Sequence, residues 1–542
     1  MIEIFTLLLS APFAQVPGGG IDHETWVEKR KLNGRFADSL ALAPDMNGDG
    51  VEDFIVGAPG MGSGGRAFAY SGTDLQQLFV YTPPATSLYA GESVCAIGDT
   101  TGDGVSEVAV ADFEKRSVYI FDGTGAHKTT IQINSSSSTD KFQPGFVLHS
   151  PGDLTGDGIP DLAIGAPYAN INGQVHFYTG QSFGLMYSWS GTESNGRFGC
   201  SLDSVEDQDG DGISEFLVGA SGEDGAHTSG LNGRVHLLAG GSGAAISIFT
   251  GTGSLDRLGS DVKNAGDLNG DGREEILASA PGVGTTGEVH IYSGSNGAPL
   301  RTYYGEVHGE QMGTRVANGG DLNADGIPDQ IATSPWYGYA GGNSDGHGRF
   351  RAFCGKTGEL IYDQIGTNSE SLGSSAISLP DGPNQLSRLI FGARTRFNQT
   401  EGHRTGAFYV ANWQPFLNAS VTEVSISNGT LLTYELDFPT RAGGHEFKLL
   451  VSFSGTNGFH YGVDIPLSYD AAVQSIYDGS HSLAPHLSGT LNQNGYSLIT
   501  LYSNPGSYAY LVGRSLNLAA IAQPAGGLPQ FSSIAVPLTV NP

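Results

Sequence analysis

The chain of 542 residues is too long for one ordinary hydrophobic core, which leaves two to four domains or one large repeat architecture. Glycine supplies 82 residues without a third-residue period, so collagen is excluded, turns are frequent and long helices are not expected. A formal net charge of -29 disfavours nucleic acid and anionic membrane, and 39% hydrophobic content excludes a disordered acidic tail, so the acids are expected where a cation, calcium first, holds them.

At the N-terminus, Ile2 to Ala14 form an apolar stretch ending in small residues ahead of Gly18-Gly19-Gly20. That is the outline of a secretory leader over residues 1–20, although it carries Glu3 and no basic start; the competing reading is an ordinary N-terminal strand or a misassigned start codon. No other run reaches the length of a transmembrane helix, so export is the expectation. Cys95, Cys200 and Cys354 are an odd, widely spaced set and are read as buried small apolar residues rather than a disulfide framework or zinc site.

From residue 22 to 412 one motif organises the chain. The loop Asp45-Met-Asn47-Gly-Asp49-Gly-Val51-Glu-Asp53 recurs from Asp99, Asp153, Asp207, Asp267 and Asp321, at spacings of 54 residues with one of 60. Each copy runs into a short apolar segment and a small-residue turn, as in Leu162 to Ile164 before Gly165-Ala166-Pro167, which reads as a buried strand. An aromatic or bulky residue with small ones lies ahead of each loop, as in Arg197-Phe198-Gly199-Cys200, and suits an inner strand in close backbone contact. After the turn comes a third strand, such as Gly173 to Gly180, and then a fourth, such as Ala245 to Thr250 or Leu300 to Tyr304. A seventh copy keeps Ser371-Leu372-Gly373 and Leu389 to Ala393 but lacks the acids. Seven units of four strands describe a seven-bladed β-propeller. The last unit runs out of strands at Asn412 while a spare one, Glu24 to Arg30, precedes the first, so the N-terminal strand is expected to complete the last blade and leave no open edge in the ring.

The bulky-Gly lead-in, the Asp-x-Asn-x-Asp-Gly-x-x-Asp loop and the Gly-Ala-Pro turn resemble the FG-GAP repeats of integrin alpha-chain propellers and their bacterial secreted relatives, over about 390 of the 542 residues. Oxygen donors at alternating positions, with glycine at the sixth to let the chain reverse, suit a hard cation such as Ca²⁺. The resemblance implies side-chain oxygens from Asp45, Asn47, Asp49 and Asp53 with the Val51 carbonyl; from Asp99, Thr101, Asp103 and Glu107 with Val105; and from Asp153, Thr155, Asp157 and Asp161 with Ile159. It likewise implies Asp207, Asp209, Asp211 and Glu215 with Ile213; Asp267, Asn269, Asp271 and Glu275 with Arg273; and Asp321, Asn323, Asp325 and Asp329 with Ile327. Up to six structural calcium ions follow, weaker at the second and third loops, where Thr101 and Thr155 replace an amide, and none at the seventh, which has only Asp381. An EF-hand is excluded because its twelfth position needs an acid, and that position is Val56, Val110, Ile164, Val218, Ala278 and Ala332 here. The competing view of the loops is plain Asp/Asn-Gly turns without metal.

His176, His236 and His290 fall at one equivalent position in three consecutive units, which is read as packing between blades rather than a ligand ring. No nucleophile elbow, zinc-protease or phosphate-loop pattern occurs, so no enzyme activity is expected. From Pro415 the repeat stops, and runs such as Phe447 to Phe453, Tyr496 to Tyr502 and Ile534 to Val540 read as strands of a separate sandwich. That region resembles C-terminal modules appended to many secreted bacterial proteins, which suggests attachment or sorting. The expected organisation is a leader (1–20), a calcium-binding propeller (21–413) and a C-terminal β-sandwich (414–542). The expected function is a secreted or surface adhesion scaffold for an extracellular protein or glycan; the alternatives are a calcium-dependent propeller enzyme, such as a polysaccharide lyase or phospholipase, and a propeller lectin.

Overall fold

A computed structural model describes residues 19–28, 34–133, 146–208, 210–223, 230–322, 326–338, 346–366, 370–380, 387–398 and 403–415, and the strands with a few flanking residues between 417 and 541. Its regular structure among these residues is entirely β, with no helix long and apolar enough to cross a membrane.

Seven antiparallel four-stranded sheets follow one another along the chain. Blade 1 comprises Ser39–Ala43, Asp53–Ala58, Arg66–Tyr70 and Gln77–Tyr81. Blade 2 comprises Ser93–Gly98, Glu107–Asp112, Ser117–Phe121 and His127–Gln132. Blade 3 comprises Val147–Gly152, Asp161–Ala166, Gln174–Tyr178 and Leu185–Ser190. Blade 4 comprises Phe198–Val205, Glu215–Ala220, Arg234–Leu238 and Ala245–Thr250. Blade 5 comprises Val262–Gly266, Glu275–Ala280, Glu288–Tyr292 and Pro299–Tyr304. Blade 6 comprises Arg315–Gly320, Asp329–Thr333, Arg349–Phe353 and Leu360–Ile365. Each first strand touches the first strands of both neighbouring blades, the seventh meeting the first, so the ring closes around an axis lined by these inner strands.

Blade 7 takes Leu372–Leu379, Arg388–Ala393 and Ala407–Pro415 from the end of the repeat and Gly19–Glu28 from its beginning. The N-terminal strand runs antiparallel to its partner from Gly19 opposite Pro415 to Glu28 opposite Ala407. Closure by a borrowed strand is therefore as expected, but displaced: the strand begins two residues inside the segment read as a leader and ends at Glu28, and its partner runs two residues past the expected boundary at 413. Continued backbone pairing explains both shifts, because each added residue satisfies an otherwise open amide or carbonyl. Residues 1–18 lie outside the described residues.

The second strand of each blade is buried on both faces; Phe54, Ile55, Val56, Leu162, Ile164, Phe216 and Val218 are fully enclosed. That is why the sequence shows a continuous apolar run there instead of alternation. Blade-to-blade packing explains the glycines on either side. A Cβ on Gly165, near the end of the second strand of blade 3, would meet the carbonyl oxygen of Gly199 in blade 4 at 2.2 Å, and one on Gly219 would likewise stand 2.1 Å from that of Gly259. The bulky lead-in residues Phe36, Phe198, Leu258, Met312 and Leu372 are buried beside these contacts. In blade 6 the lead-in does not itself start the strand, which begins at Arg315 after Gln311 to Thr314.

Two larger sheets and one short pair, Phe459–Tyr461 with Val463–Ile465, lie in the C-terminal region among the described residues. One joins Leu417–Ala419, Thr430–Asp437 and Tyr496–Ser503. The other is ordered Glu423–Ser425, Val536–Asn541, Ser515–Gln523, Glu446–Ser452 and Ser488–Thr490, with Phe531–Ser532 on the side. Tyr434, Leu436, Phe447, Leu449, Leu450 and Ala520 are buried; Phe447 and Leu449 follow the alternation expected on either side of partly exposed Lys448, whereas the adjacent Leu450 is buried as well.

Candidate functional site

The six acidic loops connect first and second strands, so all lie on one face of the ring; the turns between second and third strands and the connections between blades lie on the other. Position one of every loop acts as a local cap. Its carboxylate accepts the N–H of the glycine at position six at 2.6–2.9 Å, from Gly50 to Asp45, Gly104 to Asp99, Gly158 to Asp153, Gly212 to Asp207, Gly272 to Asp267 and Gly326 to Asp321. These glycines have φ between +82° and +87°, which a side chain would strain although nothing nearby would obstruct it. The position-six amides are the main reason the Asp99 and Asp153 carboxyls sit below the usual range. At Asp45 slight desolvation is the largest single influence and acts upward, but four backbone amides together outweigh it.

Position nine behaves differently. Asp53, Glu107, Asp161, Glu215, Glu275 and Asp329 open the second strands and are completely buried. Each accepts the N–H of the loop's second residue at 2.7–2.8 Å, from Met46, Thr100, Leu154, Gln208, Leu268 and Leu322. The three aspartates also accept a glycine N–H from the turn after the third strand: Gly72 at 2.9 Å, Gly180 at 2.8 Å and Gly355 at 2.9 Å. The longer Glu107 instead meets Lys128 Nζ at 3.1 Å. The ninth acid thus ties its loop to the blade.

Desolvation is the main cause of the raised pKa values of Asp53, Asp161 and Glu275, and in each the two other acids of the same loop raise it further: Asp49 and Asp45, Asp157 and Asp153, Asp271 and Asp267. Positions one, five and nine of these loops therefore converge closely enough to repel. The remaining donors are hard oxygens, with Asn47 Nδ2 3.0 Å from Asp49 Oδ2 and Asn269 Nδ2 2.8 Å from Glu275 Oε1. Among the described residues no three His, Cys, Asp or Glu side chains are drawn together tightly enough to grip a metal ion. The donor set is gathered but not closed, because the first and ninth acids direct oxygens at backbone amides. Asp209, Asn323, Asp325 and Asp381 lie outside the described residues.

His176, His236 and His290 do not meet one another. His176 Nδ1 stands 2.7 Å from Ser188 Oγ, His290 Nδ1 3.1 Å from Thr302 Oγ1 and His236 Nε2 2.9 Å from buried Glu223. These hydrogen bonds are made within a blade: Ser188 and Thr302 belong to the fourth strands, and Glu223 lies just after the second strand of blade 4. Cys95 and Cys354 are buried as expected, and Cys200 is partly exposed; burial raises the Cys95 thiol to about 12.

The inner strands carry a polar cluster that the repeat pattern did not reveal. His149 of blade 3 has Nε2 3.0 Å from Ser204 Oγ and Nδ1 3.7 Å from Asp203 Oδ1 in blade 4, and Lys263 of blade 5 lies 3.8 Å from Asp203. Desolvation, which outweighs Asp203, holds His149 down to about 4, so the ring is neutral at ordinary pH. His149, Asp203 and Lys263 occupy matching positions on consecutive inner strands, each four residues before the first acid of its loop, an offset that aligning the repeats exposes.

On the face away from the acidic loops, apolar side chains stand in solvent on separate connections: Leu88 (45% exposed), Tyr89 (43%), Ile171 (60%), Leu255 (52%) and Val307 (40%). Two of these connections are pinned by buried acids. Buried Asp112 accepts Ser87 Oγ at 2.6 Å and the Leu88 N–H at 2.8 Å, and Glu310 accepts the N–H groups of Glu306 and Val307 at 2.7 and 3.1 Å.

The family model for the FG-GAP repeat matches residues 36–73, 150–178 and 264–292. Among curated proteins, integrin alpha-V of Gallus gallus is 31% identical over 218 residues, covering 37% of this chain and 21% of the relative. Integrin alpha-5 of Xenopus laevis is 30% identical over 215 residues, covering 35% and 20%. Integrin alpha-4 of Xenopus laevis is 29% identical over 186 residues, covering 31% and 18%. The similarity thus spans about a fifth of these relatives' length. The ring is an integrin alpha-like FG-GAP propeller.

Proposed function

We propose that this FG-GAP propeller is an extracellular, calcium-stabilised binding scaffold that engages a protein or glycan through the face opposite its acidic loops. The observation that carries the reading is the division of labour between the faces. One concentrates carboxylates in loops anchored to the blades, and the other presents exposed apolar side chains on loops fixed from below by buried acids. A rigid scaffold that displays apolar groups on several loops can bind without reorganising, which limits the entropy lost on association.

Calcium enters through the acidic loops. The side chains at positions one, three, five and nine and the carbonyl at seven would hold it, and its charge would relieve the repulsion among the acids. Six bound dications would bring the formal charge from -29 to -17. The second loop is the weakest candidate, since it has Thr101 in place of an amide and Lys128 already stands on Glu107.

The test is an array of glycans and extracellular matrix proteins, probed with and without calcium by the parent chain and by Leu255→Asp with Tyr89→Asp. A ligand retained by the parent and lost by the double variant at unchanged melting temperature supports the reading. Equal retention by both, or turnover of a polysaccharide or phospholipid by the purified parent, overturns it.

A further inference from the structure

Blade 2 departs from the repeat at the first residue of its third strand. That position holds a long side chain in five blades, Arg66, Gln174, Arg234, Glu288 and Arg349, but Ser117 in blade 2. In blade 7, where Ala407 is as short, Arg396 stands over the ring of Tyr409, 5.2 Å from its centre. Beside Ser117 lies a cavity of about 340 Å³, lined also by Thr86 on the connection from blade 1, Lys115 in the turn before the third strand, Tyr119, and Thr130 and Gln132 on the fourth strand. The connection and the turn belong to the face away from the acidic loops, and Thr86 shares its connection with exposed Leu88 and Tyr89.

The walls are built from bonds within the protein. Asp112 pins the connection that carries Thr86 by accepting from Ser87 and Leu88. Gln132 Nε2 donates to Ser117 Oγ at 2.8 Å, and Ser117 Oγ donates to the Lys115 carbonyl at 3.0 Å. These bonds leave the Gln132 carbonyl oxygen as an acceptor, the Lys115 ammonium as a donor and the Thr86 hydroxyl as both. Pro84 and the ring of Tyr119 add apolar surface.

We propose that this cavity holds one neutral sugar residue of a glycan, an inference that rests on the reading that this face engages an extracellular ligand and narrows that ligand to carbohydrate. A sugar ring carries hydroxyls that each donate and accept, set around apolar C–H faces, and so complements an acceptor, a donor and a hydroxyl placed about a proline and an aromatic ring. The volume lies at the low end of small-molecule sites, roughly 300 to 1,000 Å³, which suits one sugar residue rather than a segment of a protein partner. Charge selects the neutral class. The chain carries -29, exposed Glu114 stands beside Lys115 in the turn, and Asp112 lies beneath the connection, so a uronate, sulfate or phosphate is repelled where a hydroxyl is not.

The experiment is saturation-transfer NMR on the full chain with calcium present, followed by calorimetric titration of the parent, Ser117→Arg and Gln132→Ala. Maltotriose, cellotriose, mannotriose, xylotriose and N,N′-diacetylchitobiose are the neutral probes, and trigalacturonate is the charged one. The parent should bind at least one neutral probe. Ser117→Arg introduces the side chain that blades 1, 4 and 6 carry at this position, fills the cavity and should abolish binding. Gln132→Ala, at an exposed position, removes one hydrogen-bonding partner and should weaken binding about tenfold at unchanged melting temperature, which decides the matter if Ser117→Arg does not fold. Neutral-sugar binding that neither variant weakens, or transfer from trigalacturonate alone, overturns the proposal. Silence towards every neutral probe overturns it too; a ligand that the parent still retains and that Leu255→Asp with Tyr89→Asp loses would then leave the binding face standing without its sugar site.

Discussion

Asp161 illustrates how much one side chain does in this ring. It is fully buried and accepts the N–H groups of Leu154 and Gly180, which belong to different turns of the blade. Asp161→Ala leaves both donors unsatisfied in the interior and should cost about 2 to 4 kcal/mol by chemical denaturation, whether or not calcium is present. Loss confined to calcium-containing buffer would show that the residue matters only as a ligand. His149 supplies a pH dependence. The folded ring takes a proton only near pH 4, whereas the unfolded one does so near 6.5. The stability associated with the neutral ring is therefore complete above about 6.5 and declines as pH falls towards 4. Glu92 runs the other way, since burial raises it to about 7 despite Arg35, so the folded carboxyl takes up its proton first and stability falls as pH rises from about 4.5 to 7. The effect of His149 is isolated by subtraction: the stability of the parent minus that of His149→Gln should shrink on acidification from pH 6.5 to 4. A constant difference would show that the ring is not held neutral.

Among elements, the closing strand has the most leverage. Gly19–Glu28 is the only part of blade 7 that comes from the start of the repeat, and without it Ala407–Pro415 has an open side. Deleting residues 22–32 should increase aggregation and bring proteolysis to 389–411; a truncated chain as stable and as resistant as the parent would contradict the closure. This closure was legible in the sequence as a surplus strand before the first unit and a shortage after the last. The blades were legible for a different reason: Gly165 and Gly219 are held by carbonyl contacts across the blade interface, so the lead-in and turn glycines recur in register. The histidine contacts were less legible, since the repeat aligns His176, His236 and His290 but does not say that Ser188, Glu223 and Thr302 face them. The His149 cluster was hard to read along the chain because its members His149, Asp203 and Lys263, although each lies four residues before the first acid of its loop, are three different residue types from three blades.

At the scale of the whole molecule the acidic composition and the architecture have one explanation. The acids recur because the loops recur, and the loops recur because the blades do. In the loops of Asp53, Asp161 and Glu275 the two other carboxylates add to the desolvation that raises the pKa of the ninth-position acid, a cost that a bound dication would remove. An ion that binds only the folded ring stabilises it by mass action. The most direct measurement is a calcium titration of chelator-stripped protein, followed by calorimetry and by the melting temperature. Binding of several ions per chain, approaching six, with a rise of several degrees in the melting temperature is the expected result. No heat of binding, no calcium retained after dialysis and a melting temperature indifferent to both calcium and chelator would show instead that the acidic loops are turns held by their own hydrogen bonds.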